Sequence, residues 1–209
     1  MRPIAASLVL ASLFALSACG PKANDTAFGE NVTKAEGETA VPKNQTAMGG
    51  DSVQGPGADV QKYADASLTV TPEEFVPQAA IGDMFEIMTS KLAVMSATDP
   101  KIKAYARDMV DMHTKSSREL LAAVATDNIS TTPPRSLDAE HQSLVDALRA
   151  KRGREFDAAY KAQQIQSHTK TLALMQSFAN GGTAPALKAH AQKMVPQVEA
   201  HLKAARALP

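Results

Sequence analysis

Five histidines and a scatter of methionines carry most of the chemistry available to this chain. Met109 and His113 stand four residues apart, as do His190 and Met194, and His168 and Met175 stand seven apart. On a helix these spacings put thioether and imidazole on one face. Such a donor set suits copper, or another divalent ion that accepts imidazole. Met109, His113, His168, His190, Met194 and His201 are therefore the metal-ligating set. Methionine at helical spacing is also ordinary core filling, and an inward histidine can serve as a hydrogen-bond partner alone. Glu86, His113, Tyr160, His168 and His201 form the interior polar set open to either role.

Other chemistries are poorly supplied. Cys19 is the sole cysteine, which rules out an intrachain disulfide, a thiolate metal cluster and the CxxCH attachment of haem c. No Ser/His/Asp arrangement, nucleophile elbow or glycine-rich phosphate loop is present, so no catalytic residue is assigned and a non-enzymatic role is expected. Twenty-two basic residues balance 22 acidic ones, which gives no reason to expect nucleic acid as a partner.

The elements that would position these side chains are helices. Thr71-Pro72-Glu73-Glu74 opens a first helix to about Ala97, although Pro77 could delay its regular part. Asp99-Pro100 opens a second, to about Thr126. Thr131-Thr132-Pro133-Pro134 reads as a loop, followed by a short helix over about 136–150. A third long helix covers about 154–180 and stops at Gly181-Gly182. A fourth runs from about Thr183 to Leu208. No segment combines β-branched residues with strict alternation. Short turns between long amphipathic helices predict an antiparallel up-and-down bundle.

At 100° per residue the histidines fall on or beside apolar faces. His113 lies among Ile102, Ala106, Met109, Val110 and Leu120. His190 and His201 lie with Leu187, Met194 and Val198, His168 beside Leu172 and Met175, and His141 among Leu137, Leu144 and Leu148. Glu86 shares a face with Phe75, Ala79, Gly82 and Ala93, opposite Ile81, Met84, Met88, Leu92 and Met95. If the small-residue face packs inward, Glu86 is a buried carboxylate needing a partner; if the methionine face does, Glu86 is solvated. Antiparallel pairing about Asp99 puts Glu86 level with about position 112, beside His113. A fold about Gly182 puts His201 level with about position 163, near Tyr160 and His168. Glu86–His113, and Tyr160 with His201 or His168, are the pairs expected.

These residues carry a resemblance. Phe75-Val76, Ala79-Ala80, Gly82, Glu86 and Leu92-Ala93, then Ala106-x-x-Met109-Val110-x-x-His113, then Phe156-Asp157-x-x-Tyr160 with His168, and Pro196-x-x-x-x-His201-Leu202 resemble a bacterial exported family. It is known as domain of unknown function 4142 and often labelled predicted outer membrane protein. The resemblance spans about residues 73–208 and implies an all-α, ferritin-like four-helix bundle with one extra short helix. It implies no activity. An acidic residue usually precedes the histidines of the family's second and third helices; Met112 and Ser167 stand there in this chain. A di-iron centre would need Glu-x-x-His on two helices, yet Val110, Ile165 and Val198 occupy the positions three before His113, His168 and His201.

The amino end specifies an address. Arg2 precedes an apolar run, Ile4 to Leu16, of signal-peptide length, and Leu16-Ser17-Ala18-Cys19 has the form of a lipoprotein cleavage site. Residues 1–18 are thus read as a signal peptide, with Cys19 acylated and the membrane contacted through that lipid anchor. Gly20 in place of an inner-membrane-retaining Asp favours the outer membrane, facing the periplasm. Residues 19–72, rich in Gly, Asn, Thr, Lys and Pro, read as a disordered linker with a reach of about 40 Å. Residues 73–209 form the bundle domain. Two roles follow: a membrane-tethered binding or structural bundle whose protein partner and oligomeric state the sequence does not name, or a periplasmic bundle that binds a soft metal or small ligand.

Overall fold

The computed structural model describes residues 70–209; the segment read as a signal peptide, Cys19 and the expected linker up to residue 69 lie outside them. Among the described residues the regular structure is helical throughout. The helices are α1 (Pro72–Ser96), α2 (Pro100–Thr126), α3 (Ala139–Arg149), α4 (Gly153–Gly181) and α5 (Pro185–Arg206).

Local chemistry sets the boundaries. The Thr71 hydroxyl accepts the Glu74 N–H at 3.2 Å while Glu74 accepts the Thr71 N–H at 3.1 Å, a reciprocal capping box. This fixes the first turn, so α1 begins at Pro72 and runs through Pro77. The carbonyl that Pro77 leaves without a helical donor belongs to Glu73, an exposed residue. Asp99 caps α2 by accepting the Lys101 N–H at 2.7 Å. Asp138 caps α3 through the His141 N–H at 2.8 Å, so that helix starts later than its apolar pattern suggests. Gly153 takes φ of +57°, the left-handed region open to glycine, where the chain turns into α4. At Gly182 a Cβ would stand 2.5 Å from the Phe178 carbonyl oxygen, so only glycine fits the tight stop of α4.

The four long helices form a square in which every neighbouring pair is antiparallel. Asp83 meets His113 across α1 and α2, and Glu86 meets Gln164 across α1 and α4. Glu119 meets Lys193 across α2 and α5, and His168 faces His201 across α4 and α5. The simple up-and-down expectation fails at one connection. Residues 127–152 return the length of the bundle before α4 starts, which makes α4 parallel to α2. One long crossover of this kind is the connectivity of ferritin-like bundles. The short α3 lies in that crossover against the α1–α4 seam, with His141 edge-on to Phe85 at 5.2 Å and the Leu144 carbonyl accepting from Gln163 Nε2 at 2.9 Å.

The apolar core has two halves. One, at the α1 start, joins Phe75, Val76, Leu120, Phe178, Leu187 and Met194; Phe75 and Phe178 stack there at 4.1 Å. The other, at the α1 end, joins Ala93, Ile102, Met109, Phe156, Tyr160 and Leu208. Burying each large side chain stabilises the fold by about 1.5–3 kcal/mol. Between the halves lies a layer of buried polar residues.

Candidate metal centre

That layer is built from the small-residue face of α1. Asp83, Glu86, Thr89 and Ser90 are buried, whereas Met95 on the opposite face is 70% exposed. Of the two orientations open to α1, the one that buries Glu86 is realised. Small side chains line this face, and a Cβ on Gly82 would make only ordinary contact, 3.7 Å from Thr171 Oγ1 of α4. Polar partners on α2 and α4 receive Asp83, Glu86 and Ser90 in mid-bundle.

Three histidines from three helices meet there. His113 of α2, His168 of α4 and His201 of α5 each present a ring nitrogen within 4.8 Å of one on each of the others. Their ring centroids form a near-equilateral triangle, 5.4–5.8 Å on a side. Nε2 of His113, Nε2 of His168 and Nδ1 of His201 are buried with no hydrogen-bond partner. The opposite nitrogens of two of them are held. His113 Nδ1 lies 2.8 Å from Asp83 Oδ1, and Ser117 donates to the other Asp83 oxygen at 3.3 Å. His168 Nδ1 lies 2.9 Å from the Gln164 carbonyl oxygen, an acceptor that assigns the proton to Nδ1 and leaves Nε2 a lone pair. Carboxylate or carbonyl behind the imidazole is the usual outer arrangement of a metal-bound histidine.

The surroundings keep two of the three imidazoles, His168 and His201, neutral. Burial, then the neighbouring His168 and His113, push His201 down to about 3. Burial also lowers His168, with His113 adding to the effect against the charge of Glu86. His113 differs: burial would lower it, but the Asp83 hydrogen bond and the charges of Glu86 and Asp83 outweigh burial and raise it. Neutral imidazole is the form that binds metal.

Glu86 does not pair with His113 as expected. Its Oε2 accepts from Gln164 Nε2 at 2.7 Å, and its Oε1 lies 3.6 Å from His168 Nδ1 with no hydrogen bond. The geometry decides this, since Asp83 sits one turn earlier on the same face and reaches His113 first. Tyr160 bonds neither His201 nor His168; its hydroxyl meets Ser90 Oγ at 2.8 Å. Burial raises its pKa, with the Glu86 charge adding. Tyr105 is raised for the same two reasons, and its buried hydroxyl has no hydrogen-bond partner.

The remaining ligand candidates belong to other groupings. Met109 and Met194 sit in opposite halves of the apolar core. His190 is buried with both ring nitrogens unpaired, outside the three-histidine group. Asp83, Gln164, Ser90 and Tyr105 went unrecognised in the sequence. For Asp83 a signal existed, since it lies three residues before Glu86 on the inward face. Ser117 bonds Asp83 rather than an imidazole, which is the wrong edge for a Ser-His-Asp relay.

Comparison with known proteins adds one assignment. Residues 58–208 match the family described as domain of unknown function, DUF4142. The chain belongs to this family. The DUF4142 match takes in every helix that builds the polar layer. No curated protein and no solved structure matches the chain significantly.

Proposed function

We propose that this DUF4142 protein is a membrane-tethered metal-binding module of the cell envelope, holding one divalent ion of the zinc–copper(II) type on His113, His168 and His201. The observation that carries this reading is the convergence of three unpaired ring nitrogens in a buried layer. An unpaired buried polar atom costs about 1–3 kcal/mol, and a shared ion would give all three nitrogens a partner at once. Zinc–nitrogen bonds of about 2.0–2.1 Å would draw each ring inward by about 1 Å. Three imidazoles suit zinc or copper(II), and Met109 and Met194 belong to the apolar halves on either side of the layer. A di-iron centre is disfavoured by its donors, because the two carboxyl groups of the layer, Asp83 and Glu86, are engaged by His113 and Gln164. The tether is proposed from Leu16-Ser17-Ala18-Cys19, with the bundle facing the periplasm from the outer membrane. No helix among the described residues is long and apolar enough to cross a membrane.

The test is ion content and thermal melting of the full-length protein in detergent, with zinc or copper(II) sulfate added separately. One ion per chain is expected. At free ion about 100 times Kd the fold should gain about 2.7 kcal/mol. His113→Ala and His168→Ala should abolish the gain, while Met109→Leu and Met194→Leu should keep it. Wild-type melting indifferent to both ions would overturn the reading.

A further inference from the structure

The three ligands are not held alike. His113 and His168 are 2% and 1% exposed, and each has its outer nitrogen fixed, by the Asp83 carboxyl and the Gln164 carbonyl. His201 is only partly buried. No hydrogen bond holds its ring among the described residues, although its inward Nδ1 is buried. Outer partners of a ligating histidine typically strengthen metal binding 10–100-fold. The set is therefore two anchored ligands and one loose one.

The backbone beneath the loose ligand is weakened too. Helix α5 continues through Pro196, five residues before His201. Proline donates no N–H, so the Gln192 carbonyl loses its helical partner, and the proline ring crowds that carbonyl. The helix before this point is tied down. The Asp127 carboxyl accepts the N–H groups of Ala186 and Leu187 at 3.0 and 2.8 Å, and Lys193 meets Glu119 at 2.7 Å. Pro196 thus lies between that front and the stretch that carries His201. That stretch packs inward through Val198, Leu202 and Ala205, while the Leu208 carbonyl beyond it accepts from Lys161 Nζ.

We propose that the site passes its ion on, and that His201, hinged at Pro196, is the ligand that yields to an incoming nitrogen or thiolate donor of an acceptor. This rests on the metal-binding reading. The step is a ligand substitution: the bond from the ion to His201 Nδ1 breaks as a bond to the acceptor atom forms. A thiol acceptor gives its proton to solvent, an imidazole acceptor gives none, and no electron is transferred. His113 and His168 keep the ion in place until the acceptor holds it.

The experiment follows zinc leaving the loaded full-length protein in detergent, using the chromogenic chelator 4-(2-pyridylazo)resorcinol as acceptor. Pro196→Ala restores the missing donor and stiffens the hinge. It should slow loading and release together, several-fold each, and leave Kd unchanged. His201→Ala should still bind zinc, more weakly and with faster release, whereas His113→Ala should lose binding. Release from Pro196→Ala at the wild-type rate would overturn the proposal, as would loss of binding in His201→Ala as complete as in His113→Ala. A wild-type protein that takes up no zinc or copper(II) would instead overturn the metal-binding reading on which it rests.

Discussion

An imidazole kept neutral by burial links the metal site to acid sensitivity. His201 is pushed down to about 3, whereas in an unfolded chain it titrates near 6.5. Between these values the unfolded chain holds a proton that the folded one does not. The ion-free fold is therefore fully stabilised above about pH 6.5 and loses stability as pH falls toward 3. His168 and His190, both lowered by burial, act in the same direction. His113 opposes them: its raised value gives stability that is present below about 6.5 and lost as pH rises through its folded value. Urea unfolding of the ion-free protein should thus show stability falling on acidification, and His201→Gln should flatten that fall. An unchanged slope in the variant would remove His201 from the acid response. The inward lean of the histidines was legible because the sequence spacing of helix α2 leaves His113 among five apolar residues. The Asp83–His113 pair was not, because a register good to one turn cannot choose between two carboxyls three residues apart.

Helix α1 shows why patterning alone could not orient the layer. Apolar residues lie on both of its sides, with Phe75, Ala79 and Ala93 buried and Met95 left in solvent. Its inward face carries Asp83, Glu86, Thr89 and Ser90, so hydrophobicity points to no single side. The partners on neighbouring helices decide the matter, His113 for Asp83, Gln164 for Glu86 and Tyr160 for Ser90, and these are not properties of α1 alone. Helix ends were more legible, since Asp99, Pro100 and Gly182 act locally. The front of α5 is an exception, because its cap comes from another helix end. No side chain at its own N-cap serves it, and the Asp127 carboxyl beyond α2 accepts two of its N–H groups. Asp127→Ala should cost about 1–2 kcal/mol, read as a lower denaturation midpoint with an unchanged slope. Asp127→Asn, which keeps an acceptor oxygen, should recover part of it. A midpoint unaffected in Asp127→Ala would show that water serves those groups equally well.

At the scale of the whole molecule, the two apolar halves close around the polar layer within residues 70–208. Recognising one bundle needed only the run of long helices. Placing the crossover needed the length of residues 127–152, too long for a hairpin between neighbouring helices. Because the core and the three imidazoles are supplied within this span, deleting residues 20–68 should leave the melting temperature within a few degrees. A collapse of helical circular dichroism would show that part of the family match before Val70 belongs to the core. Cys19 is a separate matter, since its chemistry is covalent and its proposed role is address rather than fold. Two or more acyl chains hold a protein at a bilayer without any spanning helix, and near-balanced charge offers no second attraction to lipid headgroups. The proposed anchoring therefore rests on Cys19. Cys19→Ser should abolish metabolic labelling with palmitate and leave either the uncleaved precursor or a soluble periplasmic form. Zinc content per folded chain should match wild type, because the imidazoles do not depend on the anchor. Palmitate label and outer-membrane fractionation unchanged in Cys19→Ser would refute the lipoprotein assignment while leaving the metal centre untouched.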